Sequence, residues 1–266
     1  MRPPVYFISQ VPAYLDRALY ISKHGDGVKH FAVYDNSEEY FEKVGIYPMG
    51  SETYKVELCV LRKPSGYHAK DDARFLVDLD AGGTSMCIQE RCIGREAVEA
   101  EVSLPMEHAK DFSISTKTGL SSVETDGELS YPLPDKQTRK ALIRYPYLTI
   151  SGKSASDQNV EPVHLQWRIS PLENGPLRYD LVNLQQTPRG DDDSESSIVA
   201  VYHHEGFESE LPTSYSRGVL LVPATSTSAF NLIVVSSLLG ILSSVRQQPT
   251  LKKKSRIRSL IPRSSI

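Results

Sequence analysis

One stretch near the end of the chain, Phe230-Asn-Leu-Ile-Val-Val-Ser-Ser-Leu-Leu-Gly-Ile-Leu-Ser-Ser-Val245, carries no charge, in a sequence that otherwise breaks into short runs suited to strands. Thr225-Ser-Thr-Ser228 ahead of it offers N-cap side chains, whose oxygens satisfy the first free amides of a helix, and Arg246 behind it suits the negative end of the helix dipole. The spacing predicts a helix over 228–246. On a helical wheel Phe230, Val234, Val235, Leu238, Leu239, Ile241, Leu242 and Val245 cover well over half the circumference, while Ser236, Ser237, Gly240, Ser243 and Ser244 gather on the remaining arc. A helix this apolar needs an enclosure.

Two enclosures present themselves. In a bilayer, Ser236, Gly240 and Ser244 form a stripe of small residues of the kind that lets helices approach closely, and the basic residues that follow would lie on the cytoplasmic side. Against this, the apolar run of 16 residues falls short of the roughly 20 that span a membrane, and Pro223 interrupts it upstream. Inside a protein, the enclosure that surrounds a helix best is a closed sheet. We therefore expect a barrel with a helical core, centred on Phe230, Val234, Leu238, Leu239 and Leu242, and keep a tail anchor with a cytosolic β domain as the alternative.

The rest of the chain supplies the wall. Period-2 runs rich in Val, Ile, Tyr and Phe recur at 17–21, 29–34, 53–62, 74–79, 84–90, 98–104, 140–150, 163–169, 177–184, 197–203 and 218–222. Short strands punctuated by Gly, Pro, Asn and Asp indicate a mainly β, antiparallel fold, expected as a closed β-barrel of about twelve strands. In 163–169, Val163, Leu165, Trp167 and Ile169 share one face, which should be core, with Trp167 against the helix and His164, Gln166 and Arg168 outward. Residues 36–44 suit a short capped helix. The stretches 116–137 and 185–197, rich in Ser, Thr, Pro and Asp, read as long loops, and 248–266 as a disordered basic tail, so the expected division is a barrel over 1–247 followed by that tail.

The 266 residues suffice for one large β domain, and 39% hydrophobic with 24% charged residues excludes wholesale disorder. Three cysteines, Cys59, Cys87 and Cys92, make no even disulfide set, and no Asn-X-Ser/Thr acceptor occurs. The start, Met1-Arg-Pro-Pro-Val-Tyr-Phe-Ile-Ser9, lacks the sustained apolar region of a signal peptide. These features favour an intracellular protein, cytoplasmic, membrane-associated or nuclear. Net charge is −3 overall, and the seven Lys or Arg from Arg246 onward, with no acid among them, leave −10 on the residues before. An acidic body opposes nucleic-acid binding, whereas Lys252, Lys253, Lys254, Arg256 and Arg258 form a candidate contact for anionic phospholipids or an acidic protein surface. The same run also has the composition of a nuclear localisation signal.

The segments His164-Leu-Gln-Trp-Arg168, Ile198-Val-Ala-Val-Tyr202 and Phe230 to Leu239 carry a resemblance. In this order, a tryptophan-bearing strand, a strand ending in an aromatic and a terminal apolar helix, the chain resembles the tubby C-terminal-like superfamily, which includes tubby proteins, phospholipid scramblases and plant LURP-one-related proteins, and it looks most like fungal tubby-like domains. The likeness covers the stretch from His164 to Leu239, the earlier part matching only in strand number. It implies the barrel with a central helix. Tubby proteins bind phosphoinositide headgroups through basic residues on the barrel, but no matching basic pair is found in this acidic body.

Motifs for catalysis are lacking: Gly-x-Ser-x-Gly, His-Glu-x-x-His, Cys-x-x-Cys and Gly-x-Gly-x-x-Gly do not occur. Ser151-Gly-Lys-Ser154 ends like a P-loop, yet Tyr147 stands where its first glycine belongs, and Lys153 with Ser154, Ser156 and Asp157 reads as a loop. Asp191, Asp192, Asp193 and Glu195 lack the spacing of a calcium-binding EF-hand loop. His203 and His204 fall on opposite faces of a strand and so cannot share a metal. The expectation is a non-enzymatic binding or adaptor domain without cofactor or metal.

Overall fold

The computed structural model describes residues 11–25, 27–61, 73–80, 84–91, 98–104, 111–118, 121–130, 146–154, 163–171, 177–185, 197–205 and 215–247. Among these, twelve strands each pair antiparallel with the next in sequence, and the last pairs with the first, so the sheet closes on itself. The strands are β1 (Arg17–Gly25), β2 (His30–Asp35), β3 (Ala73–Leu79), β4 (Ser85–Glu90), β5 (Val98–Ser103), β6 (Asp111–Thr118), β7 (Ser121–Ser130), β8 (Tyr147–Ser154), β9 (Val163–Pro171), β10 (Leu177–Asn183), β11 (Ile198–His204) and β12 (Tyr215–Val222). Closure places Arg17 opposite Val222 and Gly25 opposite Tyr215. A closed sheet leaves no edge for another strand to pair with.

The chain leaves β12 through a turn at Pro223 and returns through the lumen as α3 (Ser228–Gln247). Thr227 caps it: the Phe230 amide donates to Thr227 Oγ1 at 3.2 Å and the Asn231 amide to the Thr227 carbonyl at 2.9 Å. Every residue from Asn231 to Val245 is buried, including Val234, Leu238, Leu239 and Leu242, while Phe230 at the entrance is half-buried. The apolar helix predicted from the sequence is thus the core of a mainly β closed barrel.

Side-chain size around the lumen follows the position of that helix. The α3 backbone runs close to β4, β5 and β6, and there the inward positions include Ala100 and Thr116, with Thr125 and Gly127 on the adjoining β7. On the wall from β9 to β11 the inward residues are the rings of Trp167, Tyr179 and Tyr202, all fully buried. Trp167 Nε1 donates to Ser237 Oγ at 2.9 Å, and that hydroxyl donates to the Val234 carbonyl at 3.1 Å, so the indole docks on the small-residue arc of α3. Leu165 and Ile169 share its inward face, and His164, Gln166 and Arg168 point away, as the alternation predicts.

A second core lies outside the barrel. Helices α1 (Ser37–Lys43) and α2 (Glu52–Val60) cover the outer face of β1, β2, β11 and β12, burying Tyr20, Tyr34, Val201, Val219 and Leu221 against Tyr40, Tyr54, Leu58 and Leu61. Strand β1 is therefore buried on both faces.

Three expectations need correction. The stretch 53–62, predicted as a strand, is α2: Ser51 Oγ caps it by accepting from the Tyr54 amide at 3.2 Å, and Tyr54, Lys55, Leu58 and Leu61 face the barrel at helical spacing. The alternation that suggested a strand came from Val56 and Val60, which are 57% and 53% exposed. The stretch 116–137, predicted as a loop, contains the end of β6 and all of β7, whose inward residues are Thr116, Thr125, Gly127 and Leu129 rather than large aliphatics. Residues 151–154, predicted as a loop, complete β8. Residues 186–196, the acidic triplet among them, and the tail 248–266 lie outside the described residues, as do Ser156, Asp157 and Cys92.

Candidate functional site at the barrel mouth

The last turn of α3 presents unsatisfied carbonyls and a negative dipole end at the rim where β1 ends and β12 begins. Arg246 answers that charge from within the turn. Its Nη1 donates to Ser216 Oγ at 2.5 Å on β12 and approaches His24 Nε2 on β1 at 3.3 Å.

His24 reaches this position through a β-bulge. Ile21 pairs with Gly218 and His24 with Ser216, so three steps along β1 match two along β12. The extra residue turns His24 into the lumen and leaves Lys23 exposed. The His24 ring lies parallel to Phe31 with centroids 4.1 Å apart. Its Nδ1 sits 3.0 Å from the Ser22 carbonyl, so Nδ1 bears the proton and Nε2 accepts from Arg246. Burial first and the Arg246 charge second lower the His24 pKa to about 3.

His204 enters the same end of the lumen from β11, with its ring 5.8 Å from that of Tyr215, over which Lys23 Nζ lies at 4.6 Å. Burial brings its pKa to about 4, with Arg217 and Arg246 adding to the effect. The neighbouring His203 lies on the opposite face of the strand, as the sequence predicts; that face is the outer one, where His203 is sealed under α2 with Tyr54 at 4.9 Å. Its ring nitrogens have no hydrogen-bond partner among the described residues, and burial lowers its pKa to about 3.

The mouth thus combines a guanidinium, two imidazoles neutral at pH 7, a hydroxyl and an aromatic rim. Neutral imidazoles beside a fixed cation make poor proton donors, and Ser216 is held as an acceptor by Arg246 rather than activated by a base. No cluster of three His, Cys, Asp or Glu side chains suited to a metal occurs among the described residues. What the arrangement does well is tether the end of α3 to the two strands that close the barrel.

No family model, curated protein or solved structure matches this chain.

One further group merits comparison with a catalytic triad. A shallow cleft of about 520 Å³ on the outer wall is lined by Ser103, Leu104, Ser113, Asp126, Gly127, Glu128 and Ser151. Register places Ser103, Ser113, Asp126, Ser151 and His164 on one rung across β5 to β9. The order sets Ser151 between Asp126 and His164, whereas a triad requires the histidine between its serine and its acid. The rung is a polar stripe on the wall.

The candidate contacts Lys252, Lys253, Lys254, Arg256 and Arg258 lie outside the described residues; the chain that carries them continues from Gln247 at this mouth. The mouth cluster itself was missed by sequence reasoning. A strict period of two assigns His24 to the face opposite Ile21, away from the lumen, so the alternation pointed the wrong way.

Proposed function

We propose that the chain is a non-catalytic binding module of tubby-like architecture, whose barrel presents a basic C-terminal segment to anionic membrane lipid. The observation that carries this reading is the path of α3: it fills the lumen, is tethered at the mouth through Arg246, Ser216 and His24, and hands the following residues to that rim. A lumen occupied by the chain's own helix turns recognition toward rims and appended segments. Lys252, Lys253, Lys254, Arg256 and Arg258 then act as a cluster of charges, each worth about 1 kcal/mol near an anionic surface, whereas the acidic body favours a single orientation.

Sedimentation with liposomes tests this. Binding to vesicles of phosphatidylserine and phosphatidylcholine, absent with phosphatidylcholine alone and reversed by salt, is expected, and charge reversal of Lys252, Lys253 and Lys254 should remove it without changing the melting temperature. Equal binding by the reversed variant would overturn the reading.

The tail-anchor alternative draws on one observation: α3 is long and apolar enough to cross a membrane. Its burial against the barrel wall supports the lumenal reading instead. Cell pellets washed in salt and then alkali separate the two, since a tail anchor resists both washes and needs detergent.

A further inference from the structure

A cleft of about 350 Å³ opens beside the second core, where residues 11–15 pass the connection from α1 to α2. Its lining includes Tyr40, Phe41, Tyr47 and Tyr54 with Leu15 and Met49, and no charged side chain. The rings of Tyr40 and Phe41 stand nearly perpendicular, at 88° with centroids 5.1 Å apart. Phe41 closes over Gly45, where an added Cβ would meet the ring at 2.8 Å.

The polar surface of this cleft is of one kind. Apart from the tyrosine hydroxyls, no lining side chain carries nitrogen or oxygen, so the rest of that surface is backbone. Pro12 and Pro48 have no amide hydrogen. The amides of Leu15, Tyr40, Gly45 and Tyr47 already donate to the carbonyls of Pro12, Asn36, Tyr40 and Val44 at 2.9 to 3.0 Å, and the Tyr54 amide donates to Ser51 Oγ at 3.2 Å. The hydroxyls of Tyr40 and Tyr54 bond each other at 3.0 Å. The cleft therefore offers ring faces and carbonyl oxygens but few donors, and an anion would find little to hold it. Charge at the lip agrees: Glu38 and Glu42 neighbour Phe41 on α1 and are exposed, while Lys43 is tied to Glu39 at 3.0 Å.

We infer that this cleft binds a small quaternary ammonium cation of the choline type, held by the aromatic rings and drawn in by the carboxylates of α1. A cation over a ring face is attracted by the negative π cloud, more strongly where water is excluded. Methyl groups around the nitrogen spread the charge and pack on Leu15 and Met49, so such a cation sheds less hydration on entry than a primary ammonium, whose compact charge holds water firmly. The inference is independent of the lipid-binding reading, for it uses none of the basic residues at 252–258.

A ligand-observed NMR titration of the full chain, without vesicles, tests it. Choline and tetramethylammonium should bind at least about fivefold more tightly than dimethylbutanol, in which carbon replaces the charged nitrogen. Phosphocholine should bind more weakly than choline, since its phosphate meets Glu38 and Glu42 and few donors. Phe41→Leu should weaken choline by about fivefold or more. Trifluorophenylalanine at position 41 should do the same; it keeps the shape of the ring while emptying its π face, which separates loss of binding from loss of fold. Glu42→Gln should weaken choline about twofold and leave the neutral alcohol unchanged. Equal affinity for choline and the alcohol would make the cleft a plain apolar recess and overturn the inference. So would tighter binding of phosphocholine, a choline affinity unmoved by the fluorinated ring, or no choline binding by the unaltered chain.

Discussion

Trp167 carries a hydrogen bond that ties the barrel wall to the middle of α3. Ser237→Ala would leave its indole N–H buried without a partner, and we expect a loss of about 1 to 3 kcal/mol in denaturant unfolding. Ser244→Ala is the control: its hydroxyl only donates back to the Gly240 carbonyl at 2.9 Å, a bond worth little to the helix, so the change should stay within about 0.5 kcal/mol. Gly218 is equally exacting, for an added Cβ would stand 2.2 Å from the His203 carbonyl and 2.8 Å from the Tyr202 ring. Gly218→Ala must displace backbone and should cost about 1 to 3 kcal/mol. The histidines give a pH signature. In His24, His203 and His204 the folded pKa falls from the usual 6.5 to about 3, 3 and 4, so the unfolded chain binds more protons below pH 6.5. Stability is then full above that pH and lost as pH falls toward 3, at up to about 1.4 kcal/mol per pH unit for each histidine. Asp180, whose pKa burial raises despite Arg178, offsets part of this. Replacing His203 by leucine should flatten the acid limb of a stability profile measured by urea titration.

At the scale of elements, α3 is indispensable because it is the filling of the lumen. Its large apolar side chains contribute about 1.5 to 3 kcal/mol each when buried, and together they exceed the net stability of about 5 to 15 kcal/mol usual for a domain. Truncation before Phe230 should therefore abolish the cooperative thermal transition, seen as loss of near-ultraviolet circular dichroism. A folded, soluble body after that truncation would restore the tail-anchor alternative. This helix was also the element most legible in the sequence, since length, caps and lack of charge all pointed one way. The strands with large inward residues, such as β3, β4 and β9, were legible for the same reason. Strand β7 was not, because the closeness of α3 to the neighbouring wall demands small inward residues, and Thr125 with Gly127 gives no hydrophobic period. Helix α2 was misread because two exposed valines supplied a false alternation, and helix spacing became visible only once the outer face of β1 and β12 was known to be covered. The bulge that turns His24 inward is invisible to any fixed period.

For the whole molecule, neighbouring strands in the sheet are neighbours in sequence except at the seam, where β1 meets β12 across some 200 residues. Forming that seam carries a large loop-closure cost before it yields any contact. Refolding should accordingly be slow, in the range of about milliseconds to seconds, and substitutions at the seam such as Leu19→Ala or Leu220→Ala should mainly accelerate unfolding if closure comes last. Stopped-flow chevrons would show the change on the unfolding limb.

The position of α3 after every strand has a consequence for synthesis. A ribosome that has reached residue 227 has made all twelve strands, yet the helix that fills their lumen does not exist. Until it emerges, the inward faces of Phe75, Ile88, Trp167 and Tyr202 have nothing to pack on, so the nascent chain is a client for hydrophobic-binding chaperones and protease-sensitive along most of its length. Protection should arrive in one step, as the last turn of α3 clears the exit tunnel and Arg246 reaches Ser216.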